Sequence, residues 1–193
     1  NMQLPRFNRH ECLTPRLETQ IDGKLYSSIY DRSCKLQDVS PENGSETILL
    51  AEGVLSSIDQ QKVEMDGNYR LQYTFLQDGV RISGACRAAE QWLLPLISEQ
   101  TEQVTIEENF VKIQKNKKII TILVNKGKME LPYGTERIYQ LVPGMEALKI
   151  AILPENGEID FCIFLNSPYL YSIPLSRHNA SMLLSYVASA SVE

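Results

Sequence analysis

The sequence predicts an all-β fold: an antiparallel, two-sheet β-sandwich, supersandwich-like, with a short C-terminal helix. Residues 69–84 and 151–165 each place β-rich runs on both sides of an Asp-Gly or Asn-Gly pair, and these residue types accept the positive φ of a tight hairpin turn. Further short β-rich runs fill most of the chain, whereas helical spacing occurs only near its end. Many short strands with one late helix favour two antiparallel sheets packed face to face.

The N-terminal half begins with a polar, irregular segment at residues 1–10. Asp22-Gly23 predicts the first hairpin turn, and the polar residues 60–67 read as a connection. Pro95 has no N–H for a sheet ladder, so its segment is expected to be an edge strand or to contain a bulge. The strands predicted here are residues 13–20, 24–30, 33–39, 47–55, 69–76, 80–86 and 91–97.

The C-terminal half reads as a meander followed by a hairpin and a helix. Residues 119–124 are almost continuously apolar, which predicts a central strand covered on both faces. His178, Met182 and Tyr186 recur at intervals of four and predict the short helix. The predicted organisation is an irregular segment at 1–10, a β-sandwich domain at 11–175, and a helix with tail at 176–193. The strands predicted here are residues 103–107, 110–114, 118–124, 128–131, 137–141, 146–153 and 159–165.

Composition narrows the class of partner. Apolar residues make up 43% of the chain and charged residues 22%, with a net charge of −5, which is typical of a soluble globular protein and argues against nucleic-acid binding. No run approaches the roughly 20 apolar residues of a membrane span, and a signal segment is not evident, so no membrane partner is expected. The compartment stays open among periplasm, secretion and cytoplasm.

Neither a metal site nor a cofactor is expected. The four cysteines contain no Cys-x-x-Cys pair, and the histidines, His10 and His178, lie at opposite ends of the chain. Cys86 and Cys162 fall within apolar strand patterns and are expected to be buried thiols.

No catalytic cluster stands out. A Gly-x-Ser-x-Gly motif is absent, and the acidic pairs Glu107-Glu108 and Glu155/Glu158 fall at predicted hairpin tips, where carboxylates are usually solvated. Lysines crowd residues 112–128, a pattern that fits a patch for an acidic glycan but is more typical of protected sheet edges.

Aromatic residues are the stronger functional indication, because a tyrosine ring can stack on the apolar face of a sugar while its hydroxyl forms hydrogen bonds. Trp92 alternates with apolar neighbours and is expected in the core. The predicted glycan-binding residues are Tyr133, Tyr139, Tyr169 and Tyr171, with Arg81 and Arg137 as the cationic contacts.

The segments 69–84, 92–97 and 140–150, with the lysine-rich meander between them, resemble the C-terminal β-sandwich domain of heparinase II/III-like polysaccharide lyases. The resemblance implies an accessory domain, with the catalytic Tyr, His and Arg in an upstream α/α-toroid domain of the same polypeptide. No catalytic residue carries over to a matching motif in this chain. The implied partners are that upstream domain and a polysaccharide, in particular a uronate-containing one.

Two alternatives stay open. One is a small standalone polysaccharide lyase or hydrolase, in which Arg81 or Arg137 would neutralise a uronate carboxylate while Tyr139 moves the proton. The other is a structural or assembly domain without catalysis or ligand.

Overall fold

The computed structural model describes residues 14–42, 46–115, 118–137 and 146–165. They confirm the all-β prediction, because thirteen strands form two antiparallel sheets and only the 3-10 turn Ser28–Tyr30 is helical. The predicted segment 1–10 and helix at 176–193 lie outside these residues, so the domain boundaries remain predictions. The strands are β1 (Arg16–Ile21), β2 (Lys24–Ser27), β3 (Lys35–Asp38), β4 (Thr47–Val54), β5 (Asn68–Leu76), β6 (Gly79–Ala85), β7 (Gln91–Ile97), β8 (Gln103–Ile106), β9 (Phe110–Lys115), β10 (Lys118–Lys126), β11 (Lys128–Glu130), β12 (Ala147–Leu153) and β13 (Glu158–Leu165).

The two sheets differ in width. The five-stranded sheet has the order β11-β12-β7-β1-β2, and the eight-stranded sheet has the order β3-β4-β5-β6-β13-β10-β9-β8. The chain passes from one sheet to the other between β10 and β11, at Gly127, whose φ of +107° suits a glycine. No helix within the described residues is long and apolar enough to cross a membrane.

The core lies between the sheets because alternate side chains of each strand point inward. Trp92 and Ile150 come from the five-stranded sheet, and Phe161 comes from the eight-stranded sheet. The Trp92 and Phe161 ring centroids are 5.8 Å apart, and both side chains are almost fully buried. The prediction that Trp92 belongs to the core is confirmed.

Strand β10 is covered on both faces, as predicted. Ile122 packs into the core between the sheets. Leu123, which is 1% exposed, belongs to a second apolar cluster with Phe110, Cys162 and Phe164. Cys86 and Cys162 are buried free thiols, in agreement with their predicted role.

Pro95 lies in a central strand whose register with β12 is continuous, so the expectation of an edge strand or a bulge is wrong. Pairing of β7 with β1 ends at Leu93, while Pro95 faces Lys149 of β12. Ser98 N–H donates to Glu146 O of the β12 side, so by alternation the missing N–H at position 95 would point away from β12. Proline therefore sits where β1 has ended and no ladder hydrogen bond is lost.

The edge-protection interpretation of the lysines is wrong for β9 and β10. Lys112 and Lys115 belong to β9, and Lys118 and Lys126 belong to β10, and both strands have neighbours on each side. The true edge strand beside them, β8, contains no lysine. The order of strands within the sheet, and therefore which strand is at its edge, cannot be read from their order along the chain.

Candidate functional site

The candidate site is a pair of adjoining grooves on the eight-stranded sheet. One, of about 370 Å³, lies on the face turned away from the core, and its lining includes Arg70, Gln72, Ser83 and Lys126. The other, of about 760 Å³, lies at the ends of β4, β5 and β6. Arg70 and Ala85 line both, and we call the joined surface the basic groove. Its basic residues are Lys35, Lys62, Arg70, Arg87 and Lys126.

Strand register brings these side chains together. Arg70 of β5 faces Ala85 of β6, which in turn faces Glu158 of β13. One step along, Gln72 faces Ser83 and Ser83 faces Asp160. Residues two apart on a strand share a face, so both rows point to the same outward surface of the sheet.

Arg81 lies beside the groove and is held by Asp160. Its Nε donates to Asp160 Oδ1 at 3.0 Å and its Nη2 donates to Oδ2 at 2.5 Å. This hydrogen-bonded pairing raises the pKa of Arg81 despite the opposing effect of burial. The side chain is about half exposed, so Arg81 is a fixed cation whose charge is largely neutralised by its partner.

Four of the five basic side chains of the groove are weakly engaged, whereas Lys126 forms an ion pair with Glu158. Arg70 Nε lies 3.4 Å from Glu52 Oε1, and Arg87 Nη1 lies 3.8 Å from Asp66 Oδ1. Both arginine side chains are more than two-thirds exposed, and such surface ion pairs contribute little to stability. Lys35 and Lys62 have no acidic partner among the described residues. An anionic ligand can therefore engage these cations at small cost.

A hydrogen-bonded tyrosine forms the floor of the groove near β4. Tyr69 Oη donates to Asp31 Oδ2 at 3.0 Å, and Val54 N–H donates to the same oxygen at 2.8 Å. Burial, followed by the side chain of Cys34 and the charge of Asp31, raises the pKa of Tyr69 far above its ordinary value. A phenol in this state is a hydrogen-bond donor and a poor proton acceptor.

Gly53 makes this approach of Asp31 to the strand sterically feasible. A Cβ at position 53 would lie 2.0 Å from Asp31 Oδ2 and 2.4 Å from Tyr69 Oη. The pattern reading of the sequence missed Asp31 and Tyr69 as part of the site. The available signal was the glycine inside the β-rich run 47–55, since an interior strand glycine often marks the close approach of other atoms.

The predicted arginines lie on different sheets and do not form one site. Arg81 belongs to β6, whereas Arg137 bridges to Leu148 of the five-stranded sheet. Arg137 is 9% exposed, and its Nη2 donates to Ser98 Oγ at 3.2 Å and to Glu102 O at 3.0 Å. These contacts tie the segment after β11 to the segment after β7.

Tyr133 lies in the loop after β11 and is half exposed. Lys149 Nζ stands 5.4 Å from its ring centroid, within cation–π range. Tyr139, Tyr169 and Tyr171 lie outside the described residues, so their proposed contacts remain predictions. In the part of the chain that the structure describes, no three His, Cys, Asp or Glu side chains are grouped to hold a metal ion.

Comparison with known proteins relates the chain to a C-terminal domain found in polysaccharide lyases. Residues 1–167 match the family described as the ulvan lyase C-terminal domain. The chain is 28% identical over 161 residues to the broad-specificity ulvan lyase of Formosa agariphila (strain DSM 15362), and the match covers 80% of this chain and 25% of that protein. No solved structure matches it significantly.

These comparisons confirm the coarser part of the resemblance seen in the sequence, a polysaccharide lyase C-terminal β-sandwich, but they do not support the narrower heparinase II/III-like group. The chain spans about a quarter of the length of the relative that it matches. The prediction that the chain is an accessory domain of a carbohydrate-active enzyme agrees with the matched domain and with the β-sandwich described above. The chain belongs to the ulvan lyase C-terminal domain family.

Proposed function

We propose that this domain binds an acidic, uronate-containing polysaccharide in the basic groove and presents it to the catalytic domain of a longer lyase. The single observation that carries the proposal is that four of the five basic side chains in the groove are weakly engaged, in a lining that also holds four acidic side chains and in a chain whose net charge is −5. Guanidinium groups such as those of Arg70 and Arg87 match the two oxygens of a carboxylate. Lys35 and Lys62 supply point charges beside them.

Polar groups of the groove suit the hydroxyls of a sugar. Gln72 and Ser83 stand next to each other across β5 and β6, and Asn68 lies at the start of β5. Amide and hydroxyl side chains both donate and accept hydrogen bonds. Arg81 then acts beside the groove by holding Asp160 in place, and Tyr133 is a proposed sugar contact outside it.

A standalone lyase is the less supported function. Uronate β-elimination needs a group that accepts a proton next to a group that neutralises the carboxylate. Tyr69 is the tyrosine that lines the groove among the described residues, and its hydroxyl already donates to Asp31. Its raised pKa makes it unsuited to act as the base.

Affinity gel electrophoresis with an embedded uronate polymer tests the binding proposal. We expect retardation of the wild-type chain that weakens with added salt, because exposed charges are screened. The double variant Lys62→Glu/Arg70→Glu should lose about tenfold or more in affinity, which corresponds to about 1.4 kcal/mol. The control Lys112→Glu/Lys118→Glu makes the same charge change at residues of β9 and β10 that do not line the groove and should be retarded nearly as wild type.

Two results would contradict the proposal. Absence of retardation by every uronate polymer removes glycan binding, and equal losses in both double variants reduce it to a general charge effect. Formation of an unsaturated product by the chain alone, followed by absorbance, would instead favour the standalone lyase.

A further inference from the structure

A second concave surface lies where the two sheets separate. It encloses about 1240 Å³ near β8 and β11, the edge strands of the eight- and five-stranded sheets. Apolar side chains form much of its wall: Ile106, Met129, Leu131, Leu153 and Pro154. Ile106, at the end of β8, is 41% exposed, so part of the interior surface is open to solvent at this end of the sandwich. We call this surface the edge cleft.

The rim of the edge cleft is acidic. Glu107 and Glu108 follow β8 directly, and Glu155 lies in the turn between β12 and β13. All three are exposed, as expected for carboxylates at hairpin tips. Lys128 is the basic side chain in the lining among the described residues, and its Nζ lies 2.7 Å from Glu130 Oε1. The side chains that line the cleft therefore carry a net negative charge.

The apolar wall and acidic rim of the edge cleft differ from the lining of the basic groove. Carboxylates on the rim repel a polyanionic glycan, and an aliphatic wall offers its sugars no aromatic platform. Exposed apolar surface framed by charge is typical of a protein-binding site. The sign of the rim determines the preferred partner, because complementary charge steers association and disfavours like-charged partners.

We propose that the edge cleft docks a protein segment in which apolar side chains alternate with Lys or Arg, supplied by another domain of the longer polypeptide. The matched region covers only a quarter of the Formosa agariphila relative. A protein of similar length would therefore have other domains whose surfaces could contact this one. Apolar side chains of the segment cover Ile106 and Leu131, while its cations face Glu107 and Glu155. The inference stands apart from glycan binding, because it uses a different surface and a partner of opposite charge.

Nuclear magnetic resonance titration of the whole 193-residue chain tests this docking. The probes are three synthetic peptides of equal length: one alternates Lys and Leu, one replaces each Lys with Glu, and one replaces each Leu with Ser. We expect saturable shifts from the Lys-Leu peptide, centred on Ile106, Met129 and Leu153. The Glu-Leu peptide should not bind, and the Lys-Ser peptide should bind at least about tenfold more weakly.

Surface variants with matched controls separate docking from general charge or folding effects. Ile106→Asp should lower the affinity for the Lys-Leu peptide at least about tenfold, whereas Ile21→Asp should leave it unchanged, because Ile21 is equally exposed, at 40%, and lies on β1. Glu107→Lys/Glu155→Lys should lower the affinity by a similar factor. Glu42→Lys/Glu99→Lys changes the net charge by the same amount away from the cleft and should have little effect.

Any one of four results would overturn the inference. The Lys-Leu peptide does not bind saturably, or the Lys-Ser peptide binds equally well. Alternatively, the shifts are centred outside the cleft, or the cleft and control variants have equal effects. Failure of the glycan experiment leaves all these readouts intact, since none of them uses a polysaccharide.

Discussion

At the scale of single residues, the contact between Asp31 and the end of β4 is the most constrained feature of the groove. Asp31 accepts hydrogen bonds from Tyr69, from Val54 N–H, and from both the N–H and the hydroxyl of Ser33. These bonds close the loop before β3 onto the strand that lines the groove. The absence of a side chain at Gly53 is what leaves room for the carboxylate.

Replacing Gly53 with alanine should destabilise the protein by about 1–3 kcal/mol, the usual cost of overpacking. The added methyl group would overlap Asp31 and Tyr69, so the loop must move away. Urea denaturation measures the loss. Gly134→Ala gives the cost of backbone strain alone for comparison, because a Cβ there meets nothing within 4 Å while its φ of +57° disfavours alanine. A Gly53→Ala variant as stable as wild type would contradict the described contact.

The hydrogen bond of Tyr69 should appear in the pH dependence of stability. Burial acts to raise the pKa of Asp31, but the hydrogen bonds from Ser33, Val54 and Tyr69 outweigh it and lower the pKa below its ordinary value of 3.8. A lowered pKa in the folded state stabilises the protein above the unfolded-state pKa, and this contribution is lost as pH falls through the folded-state pKa.

Tyr69→Phe removes one donor, so the pKa of Asp31 should rise toward its ordinary value. The stability lost on acidification below about pH 4 should therefore be smaller than in wild type. Urea midpoints measured between about pH 2 and 7 test this, with Tyr26→Phe as the control. Identical pH profiles for Tyr69→Phe and wild type would show that the bond does not affect the titration of Asp31.

At the scale of elements, β7 shows how a strand interior accommodates proline. The alternation of ladder hydrogen bonds predicts that Leu94 N–H donates to β12, whereas position 95 faces the side where β1 has ended. Proline should therefore be tolerated at position 95 but should destabilise the protein at position 94.

Leu94→Pro should cost more than Leu94→Ala, because it removes a ladder hydrogen bond in addition to core packing, a difference of about 1 kcal/mol or more. Pro95→Val should change stability by less than about 1 kcal/mol. Thermal and urea unfolding provide the comparison. Equal stability of Leu94→Pro and Leu94→Ala would refute the assigned hydrogen-bond direction.

Element types were more predictable from sequence than element neighbours. The Asn-Gly turn at Asn156 and the apolar run of β10 specify local backbone conformation and burial, and the structure contains both. The run 24–30, predicted as one strand, stops at Ser27 because the Ser27 hydroxyl accepts from Ile29 N–H and starts a 3-10 turn. The end of this strand is therefore set by a side-chain hydrogen bond, and the alternation of apolar residues does not reveal such a bond.

The groove was less predictable because its residues come from strands far apart in the chain. Arg81 was predicted as a cationic contact, but its partner Asp160 is 79 residues away. Asp31 and Tyr69 are likewise 38 residues apart. Alternation places a side chain on a face of its strand, but only the strand order of the sheet determines which faces adjoin.

At the scale of the whole molecule, the contact between Trp92 and Phe161 joins the two sheets. Trp92 Nε1 is buried and has no hydrogen-bond partner among the described residues, a state that costs free energy. The tryptophan therefore combines a large favourable burial with one unfavourable polar group.

Trp92→Ala should destabilise the fold by about 3–5 kcal/mol, the usual cost for a buried aromatic residue. Trp92→Phe should cost distinctly less, because it keeps most of the ring packing and removes the unsatisfied N–H. Circular dichroism should be used to follow unfolding, since Trp92 is the single tryptophan of the chain. Equal costs for the two variants would show that the aromatic contact contributes little.

The exposed thiol of Cys34 gives this molecule a built-in attachment point for a reporter. Cys86 and Cys162 are buried, so in a Cys12→Ser background a maleimide dye would react selectively at position 34. Ser33 and Lys35, its chain neighbours, line the groove, which places the dye beside the proposed polymer site. Emission changes would then report the proposed binding of a polysaccharide in real time, without labelling the carbohydrate.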